Sequence, residues 1–297
     1  MSQLIVLAGP TASGKTKLSI DLAKLFDAEI INADSRQVYR KLNIGTAKPT
    51  TIELNAIPHH FIDIKNPDED YNAGEFETNV ISFLEDYFTR KNTAILVGGS
   101  GLYINAVVNG FDPLPKASEE IRQKWMELLE REGIEFLKNE LIASDPIYAK
   151  TADLDNPQRL IRALEIIDST GKTYSSQRQK TKKSRPFKST LFALSPERSG
   201  LYDSINQRVD KMMEDGLLSE VESLIQYRTC NALQTVGYKE LFDHIDGKST
   251  LNEAIDKIKQ HTRNFAKRQT TWFKRQNDFI SLKSDYINEI QKHLKSF

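Results

Sequence analysis

The sequence predicts an α/β fold in which a parallel sheet is covered by helices on both faces and a helical insertion interrupts the sheet-forming chain. Short apolar runs alternate with segments of helical periodicity over residues 4–97. A glycine-rich loop joins the first of these runs to the first helical segment. After Pro115 helical patterns replace the alternation, which resumes with an apolar run at residues 189–194.

The first strand and the first helix are joined by a phosphate-binding loop. Residues 4–8 form an apolar run, and Leu18, Leu22 and Leu25 mark one face of the following helix. Between them stands the pattern G-x-x-x-x-G-K-[ST], the P-loop, in the strand-to-helix setting that the motif requires. The predicted diphosphate-binding residues are Gly9, Pro10, Thr11, Ala12, Ser13, Gly14, Lys15 and Thr16.

The residue types of this loop indicate its chemistry. Its glycines allow the backbone to curl so that successive N–H groups point at an anion, and the start of the helix adds a positive end. Lys15 can reach the outer phosphate, and the Thr16 hydroxyl can hold Mg²⁺. A glycine-containing turn that binds nothing is the alternative. The motif indicates a diphosphate or triphosphate without specifying the molecule, and a nucleotide such as ATP is the default.

Three further strands are predicted at residues 29–33, 61–64 and 93–97, with a helix at 73–88. Strand–helix alternation after a P-loop predicts a P-loop NTPase-like parallel sheet. Ligands of such sheets bind beyond the carboxyl ends of the strands, so functional residues are expected just after each strand.

Polar or glycine-rich segments follow two of these strands, at residues 34–40 and 98–103. The Asp34 carboxylate could accept a proton from a nucleophile or bind Mg²⁺ indirectly, and the alternative is that it caps the following turn. Ser100 could donate a hydrogen bond to a leaving-group oxygen or be an ordinary turn serine. Position alone does not decide the role of Asp34, and it favours the turn serine for Ser100.

Helices dominate the insertion and the last part of the chain. Residues 118–143 are predicted to form one helix, and a second begins at Asn156 and ends at Gly171. After the returning strand the chain is mainly helical, with a long helix at 251–277 and fraying expected from about Asp285.

Length and composition predict an ordinary globular protein of one or two domains. The chain has 297 residues, of which 39% are hydrophobic and 28% charged. We expect a P-loop core domain formed by residues 1–115 and 188–297, and a helical insertion domain formed by residues 116–187.

The composition excludes several classes of protein. A net charge of zero does not support a uniformly basic nucleic-acid binder. Cys230 is the only cysteine, so an internal disulfide or a cysteine-cluster zinc site is impossible. The sequence shows neither a secretory signal nor an apolar run of about 18 residues, so we expect a cytoplasmic monomer without a membrane partner.

Positive charge is concentrated in two segments, 172–188 and 257–275, each with seven Lys or Arg and no acidic residue. Charge runs are usually solvated surfaces, and phosphate binding to a nucleic acid is the alternative. On the second helix of the insertion, Gln158, Arg159 and Arg162 share a face that could contact RNA or solvent.

Taken together, these segments resemble the tRNA dimethylallyltransferases, also called tRNA isopentenyltransferases. The matching segments are residues 9–16, 34–40, 44–49, 58–60, 97–103, 156–160, 236–240 and 262–273. They span nearly the whole chain in the order of the family, which is much more specific than a P-loop alone.

The resemblance implies an enzyme that transfers a dimethylallyl group from dimethylallyl diphosphate to the exocyclic amine of the adenine 3′ of the tRNA anticodon, releasing diphosphate. Asp34 matches the base that removes the amine proton. Ser100 stands where the family commonly has Thr, near the breaking bond, and Arg208 matches an arginine that contacts the diphosphate. With Lys15 these are the implied catalytic residues, and Mg²⁺ on Thr16 is the implied cofactor.

The resemblance also implies how the tRNA anticodon stem-loop is held. Residues 35–37 would meet the target base and its neighbours, and the insertion would hold the loop, from which the base must leave its stack. The implied tRNA-binding residues are Asp34, Ser35, Arg36, Gln37, Ser100, Arg122, Gln158, Arg159, Leu160, Ile161 and Arg162.

The chain departs from the family pattern at a few positions besides Ser100. Ser204 stands where the family often has Arg, and Phe265 replaces a frequent Tyr. The zinc-finger extension of eukaryotic members is not expected because Cys230 is alone, so the chain resembles the short bacterial type.

Two other functions use the same features. A small-molecule or nucleotide kinase would bind ATP at the P-loop, with Asp34 as base to a substrate hydroxyl. A non-catalytic P-loop protein could bind RNA through its basic segments. The basic insertion and the segments at 34–40 and 98–103 favour the prenyl transferase over both.

Overall fold

A six-stranded parallel sheet forms the centre of the part of the chain that the structure describes, which confirms the predicted fold class. The spatial order of the strands is β3-β2-β4-β1-β5-β6. The strands are β1 (Gln3–Ala8), β2 (Glu29–Asn32), β3 (His59–His60), β4 (Thr93–Gly98), β5 (Lys188–Leu194) and β6 (Ile280–Leu282).

This structure is a computed structural model that describes residues 2–112, 114–115, 117–178 and 182–295. Its described residues divide into two compact units, one within Met1–Val108 and Arg185–Phe297 and the other within Asn109–Ser184. Lys116, where the predicted insertion begins, lies outside the described residues. No helix in the described ranges is long and apolar enough to span a membrane.

Helices connect the strands of the larger unit and make up the smaller one. The helices are α1 (Lys15–Leu25), α2 (Thr51–Ala56), α3 (Ala73–Tyr87), α4 (Gly101–Asn109), α5 (Glu119–Glu132), α6 (Ile134–Ser144), α7 (Pro146–Ala149), α8 (Pro157–Thr170), α9 (Tyr174–Gln177), α10 (Arg198–Glu214), α11 (Leu217–Ser223), α12 (Tyr238–Ile245), α13 (Leu251–Lys274) and α14 (Tyr286–Lys295), with 3₁₀ turns at Ile225–Tyr227 and Asn231–Leu233.

The central strands are apolar throughout because a parallel sheet is covered on both faces. All residues of β1 after Gln3 are buried, as are those of β4 after Thr93. Ile5 and Leu7 of β1 belong to a core cluster that includes Leu22 of α1 and Ile290 of α14. Since β2, β4 and β1 are neighbours, the segments that follow them meet at one edge of the sheet.

Two parts of the sheet differ from the prediction. The third strand was predicted at residues 61–64 and lies at His59–His60 instead. Phe61 and Asp63 have φ angles of 64° and 55°, so the backbone leaves the extended conformation directly after His60. The short strand β6, which pairs with the outer side of β5, was not predicted.

Residues 286–295 form helix α14, although fraying was predicted from about Asp285. Tyr286, Ile287, Ile290 and Leu294 are spaced for one helix face, and they pack against the core of the larger unit. This packing explains why the helix forms, since burial of an apolar face contributes more than local propensity.

In the smaller unit, two helices are found where one was predicted. A single helix was expected over residues 118–143, but α5 ends at Glu132 and α6 begins at Ile134. Gly133 separates them with a φ of 80°, which ends the first helix because residues with side chains rarely adopt that angle.

Helix α8 was predicted correctly. The Asn156 side chain accepts a hydrogen bond from the Arg159 amide at 3.3 Å, and Gly171 ends the helix with a φ of 65°. Its apolar face, with Leu160 and Leu164, packs on Trp125 and Leu137 of the neighbouring helices. The Trp125 indole N–H donates to Asp168 at 3.0 Å, so the largest side chain of this core has its polar atom satisfied.

Two residues predicted to bind tRNA lie in this core. Leu160 is 0% exposed and Ile161 is 3% exposed, so neither side chain is available to a ligand. Their assignment to tRNA binding stays a prediction, which contacts through backbone atoms would have to fulfil, and both side chains stabilise α8 against its neighbours.

We expect Leu160→Ala to lower the free energy of unfolding of the smaller unit by about 2–5 kcal/mol, because removing a buried leucine side chain leaves a cavity. Urea unfolding of a Trp272→Phe chain followed by Trp125 fluorescence measures this, since the chain has two tryptophans. Gln158→Ala on the same helix is the control, since Gln158 is exposed. Equal midpoints for the two variants would contradict the packing role.

Candidate active site

One cavity of about 1100 Å³ lies at the carboxyl edge of the sheet in the larger unit. Three of its walls are the segments that follow β1, β2 and β4. A fourth wall comes from α10 and α13, which the Lys259–Asp210 ion pair joins at 2.6 Å. The cavity therefore brings together segments that are far apart in the sequence.

The P-loop has the curled backbone that its glycines predict. Gly9 and Gly14 have φ angles of 154° and 83°, and Ala12 between them has a φ of 61°. The Pro10 carbonyl accepts hydrogen bonds from Lys15 Nζ at 2.6 Å and from Ser13 Oγ at 2.8 Å. The lysine ammonium is thus folded back over the loop, within the wall of the cavity.

Two cations meet at this loop. Burial, and after it the Arg208 guanidinium, lower the pKa of Lys15 to about 7, while Asp34 acts in the opposite direction. Burial also lowers the pKa of Arg208, whose Nη1 donates to the Thr11 hydroxyl at 3.1 Å. Two cations held together in a buried wall repel each other, so an anion bound between them would be stabilised.

Asp34 follows β2 and both of its predicted roles are compatible with the structure. Its Oδ1 accepts hydrogen bonds from the Arg36 amide at 2.8 Å and the Gln37 amide at 3.3 Å, so it caps the turn. The carboxylate also lines the cavity, and within the described ranges Oδ2 accepts no hydrogen bond. One oxygen therefore holds the turn while the other can accept a proton.

Ser100 follows β4 and lies against the turn that Asp34 begins. Its Oγ accepts a hydrogen bond from the Ser35 amide at 3.1 Å and donates to the Ser35 hydroxyl at 3.3 Å. The ends of β2 and β4 approach closely because Gly98 has no side chain, since a Cβ there would lie 2.2 Å from the Ala33 carbonyl oxygen.

The neighbouring side chains Arg36 and Gln37 are held by distant loops. Gln37 Nε2 donates to the Thr46 carbonyl at 2.9 Å and the Ala47 carbonyl at 3.1 Å. Arg36 donates to the Asn231 carbonyl. Residues 35–37 thus form a fixed polar surface in the cavity wall.

Glu220 organises one of these loops and was not predicted. Its carboxylate accepts the backbone N–H groups of Asn43, Ile44 and Gly45 at 2.9, 2.8 and 3.0 Å. It also accepts the Tyr238 hydroxyl at 2.7 Å. A sequence motif could have identified the loop and Tyr238, which lie in segments that match the family, but Glu220 lies outside all of these segments.

Gln269 on α13 is a second residue that was not predicted. Its Oε1 accepts the Thr11 N–H at 2.9 Å, and its Nε2 donates to the Gly99 carbonyl at 3.0 Å. It therefore touches both the P-loop and the loop after β4. It lies in a segment that matches the family, which was the only available signal.

The remaining predicted residues belong to the smaller unit. Arg122 and Arg162 each approach Glu165, with N–O distances of 3.5 Å, and both guanidinium groups are partly exposed. Glu165 itself is 2% exposed. Gln158 and Arg159 are exposed on the same helix. The structure therefore gathers three arginines and a glutamine on one polar surface of this unit.

A magnesium site is implied by the P-loop, and the side chains present fit one. Within the described residues no group of three or more His, Cys, Asp or Glu could hold a metal ion. Thr16 and Asp34 line the cavity with one hydroxyl and one carboxylate. Mg²⁺ needs few protein oxygens where waters and substrate phosphates complete its shell, so this donor set suits an ion held together with a diphosphate.

Comparison with known proteins gives the family of the chain. The IPP transferase family model matches residues 37–276. The chain is 46% identical to tRNA dimethylallyltransferase 1 of Phocaeicola vulgatus, over 99% of this chain and 98% of that protein. It is 49% identical to the tRNA dimethylallyltransferase of Christiangramia forsetii, over 92% of this chain and 90% of that protein.

Solved structures agree with these relatives. The full-length tRNA isopentenylpyrophosphate transferase of Bacillus halodurans is 38% identical with a TM-score of 0.74, covering 100% of this chain and 96% of that one. A eukaryotic dimethylallyltransferase described as acting on tRNA is 30% identical with a TM-score of 0.80, covering 95% of this chain and 74% of that one. These similarities confirm the resemblance seen in the sequence, and the chain belongs to the IPP transferase family.

Proposed function

We propose that the chain is a tRNA dimethylallyltransferase. It transfers a dimethylallyl group from dimethylallyl diphosphate to the exocyclic amine of the adenine 3′ of the tRNA anticodon, and it releases diphosphate. The observation that carries this proposal is the cavity, in which a P-loop with two cations faces an aspartate and a serine at the ends of neighbouring strands. The names of the relatives support it.

The leaving group meets the positive side of the cavity. As the bond between the allylic carbon and the diphosphate oxygen breaks, its electron pair stays on the diphosphate. Lys15 and Arg208, which meet at the P-loop, would stabilise that growing charge. Ser100 would donate a hydrogen bond to the bridging oxygen from the neighbouring loop.

The acceptor meets Asp34. An adenine amine is a weak nucleophile because its lone pair is delocalised into the ring, so removal of a proton as the new bond forms would help. In this step the amine nitrogen bonds to the allylic carbon, and one amine proton passes to the Asp34 carboxylate. Residues 35–37 would contact the target base and its neighbours from the wall that Ser100 and Thr46 support.

Magnesium would be held by Thr16 together with the diphosphate, and when bound it supplies additional positive charge toward the phosphate oxygens. Gly9, Pro10, Thr11, Ala12, Ser13 and Gly14 form the rest of the cradle in this proposal. Their part is to present the backbone N–H groups and the loop geometry that the diphosphate needs.

The tRNA anticodon stem-loop would also bind the smaller unit, through Arg122, Gln158, Arg159 and Arg162. A target base must leave its stack to reach a diphosphate pocket, and a cavity of about 1100 Å³ is large enough for more than the small donor alone. We expect the enzyme to act as a cytoplasmic monomer, which stays a prediction. A small-molecule kinase is not favoured, since the family and its relatives are transferases of a different class.

The first test is direct transfer of label. Incubation with dimethylallyl diphosphate labelled in the allyl group, Mg²⁺ and an unmodified anticodon stem-loop should give labelled RNA and one diphosphate for each group transferred. A stem-loop with inosine in place of the target adenosine is the control, because it lacks the exocyclic amine. ATP consumption on a small acceptor with no label in RNA would instead indicate the kinase.

Asp34→Asn should lower kcat by about 10²-fold or more, which is the size expected for loss of a general base. The Asn Oδ1 can still accept the amides of Arg36 and Gln37, so the turn and the affinity for the stem-loop should be kept. Single-turnover rates measure the effect on the chemical step, and a binding titration with the stem-loop measures the effect on affinity. An equal loss of rate and affinity would assign Asp34 to recognition.

Replacing Arg159 and Arg162 together with Gln should weaken binding of the stem-loop at low salt. Each lost phosphate contact should reduce the slope of log affinity against log salt by about 0.7–0.9. Arg131→Gln is the matched control, because this exposed arginine belongs to the same unit and pairs with Glu132. If the slope of log affinity against log salt is the same in both variants and in the parent protein, Arg159 and Arg162 do not contact the RNA.

A further inference from the structure

We propose that Gln269 is a positioning residue for the transfer reaction, and that it sets the spacing between the diphosphate side and the acceptor side of the cavity. The inference rests on the proposed function and concerns a side chain in the cavity lining whose two amide atoms both bond to the protein backbone. It is drawn from the hydrogen bonds of one buried amide, from the glycine beside it and from the anchoring of its helix.

The amide of Gln269 bridges two loops. Its Oε1 accepts the Thr11 N–H at 2.9 Å, and its Nε2 donates to the Gly99 carbonyl at 3.0 Å. The partners fix the orientation of the amide, because one offers only a proton and the other only lone pairs. The residue is 7% exposed, so water cannot easily replace either bond.

The bridge has little room to shift. A Cβ on Gly99 would lie 2.3 Å from Gln269 Nε2, so the backbone of this loop approaches the amide directly. Three residues along α13, the ring of Trp272 lies against Gly101 in the same way, since a Cβ there would lie 2.6 Å from the ring. Gly99 in the loop after β4 and Gly101 at the start of α4 therefore contact two side chains of one helix.

Beyond the bridge, hydrogen bonds continue on both sides. On the diphosphate side, the Thr11 hydroxyl accepts from Arg208 at 3.1 Å. On the other side, Ser100 follows Gly99 directly, and its Oγ accepts the Ser35 amide at 3.1 Å, which ties Ser100 to the turn that begins at the proposed base Asp34. Gln269 links these two sets of contacts, of which the first would hold the diphosphate and the second holds the turn that carries the proposed base.

The helix that carries Gln269 is itself anchored to the helix that carries Arg208. Lys259 pairs with Asp210 at 2.6 Å, and Arg263 donates to the Asn206 side chain at 2.6 Å. Helix α13 thus connects α10, the P-loop and the loop after β4 as one rigid wall. A change at Gln269 would release the two loops from each other and leave Lys15, Asp34, Ser100 and Arg208 in the chain.

Glutamine suits this place because it combines one donor and one acceptor at the end of a planar group. Glutamate has the same shape, but in place of the donating Nε2 it has a carboxylate oxygen. That oxygen and the Gly99 carbonyl are both acceptors, so they would repel each other. Methionine has a similar length and can make neither bond. A displacement of about 1 Å between reacting groups can cost about 10²-fold in rate, so the loss should appear in the chemical step.

The test compares Gln269→Met and Gln269→Glu with Thr271→Ala in the full chain. Thr271 is exposed on the same helix. Among the described residues, its hydroxyl donates only to the Lys267 carbonyl one turn earlier in that helix. We expect kcat to fall by about 30- to 100-fold in both Gln269 variants, with KM for each substrate within about threefold of the control.

A purely structural role gives a different result. It would lower the thermal midpoint while kcat of the folded enzyme stayed within about threefold of the Thr271→Ala control, and this outcome would overturn the proposal. A rise in KM with unchanged kcat would overturn it as well, because it would assign Gln269 to binding.

Amide hydrogen exchange separates this proposal from the proposed function. In the unliganded protein the Thr11 N–H should be protected, and protection should be lost in Gln269→Met but kept in Thr271→Ala. If the parent protein transfers no label to RNA, the proposed function fails whatever the exchange shows. If the parent is active and Gln269→Met loses protection without losing kcat, only the positioning role fails.

Discussion

The close approach of the β2 and β4 ends is the constraint on which the rest of the site depends. It is possible only because Gly98 places no side chain against the Ala33 carbonyl. The approach brings Ser100 within hydrogen-bond distance of the Ser35 amide, and the P-loop follows β1 on the other side of β4. The three polar segments that follow β1, β2 and β4 therefore line one cavity.

The electrostatics of the cavity suit an anion more than a neutral ligand. Lys15 and Arg208 meet in a buried wall, where burial lowers the pKa of both and the Arg208 charge further lowers the pKa of Lys15, while Asp34 acts in the opposite direction on each. Lys15 is meanwhile held by the Pro10 carbonyl. A bound diphosphate would supply the missing negative charge, and this explains why a loop that looks generic for nucleotides can serve a different diphosphate.

Much of this arrangement could be predicted from the sequence, because short-range patterns encode it. Apolar runs and a P-loop predicted the sheet, and the segments after β2 and β4 predicted where Asp34 and Ser100 would lie. Contacts between distant residues left no such pattern: Gln269 and Thr11 are 258 residues apart. Leu160 is buried on the apolar face of α8, as its spacing with Leu164 indicates, and its part in tRNA binding stays a prediction.

β1 leaves the ribosome long before its partner β5, which begins at Lys188. The smaller unit is synthesised between them, and its helices contact one another locally, so it can fold while the sheet still lacks β5 and β6. One apolar edge of β1 must therefore remain unpaired through much of translation. During that interval the unpaired edge of β1 offers backbone N–H and C=O groups to strands of other chains, which is the general route to edge-to-edge aggregation.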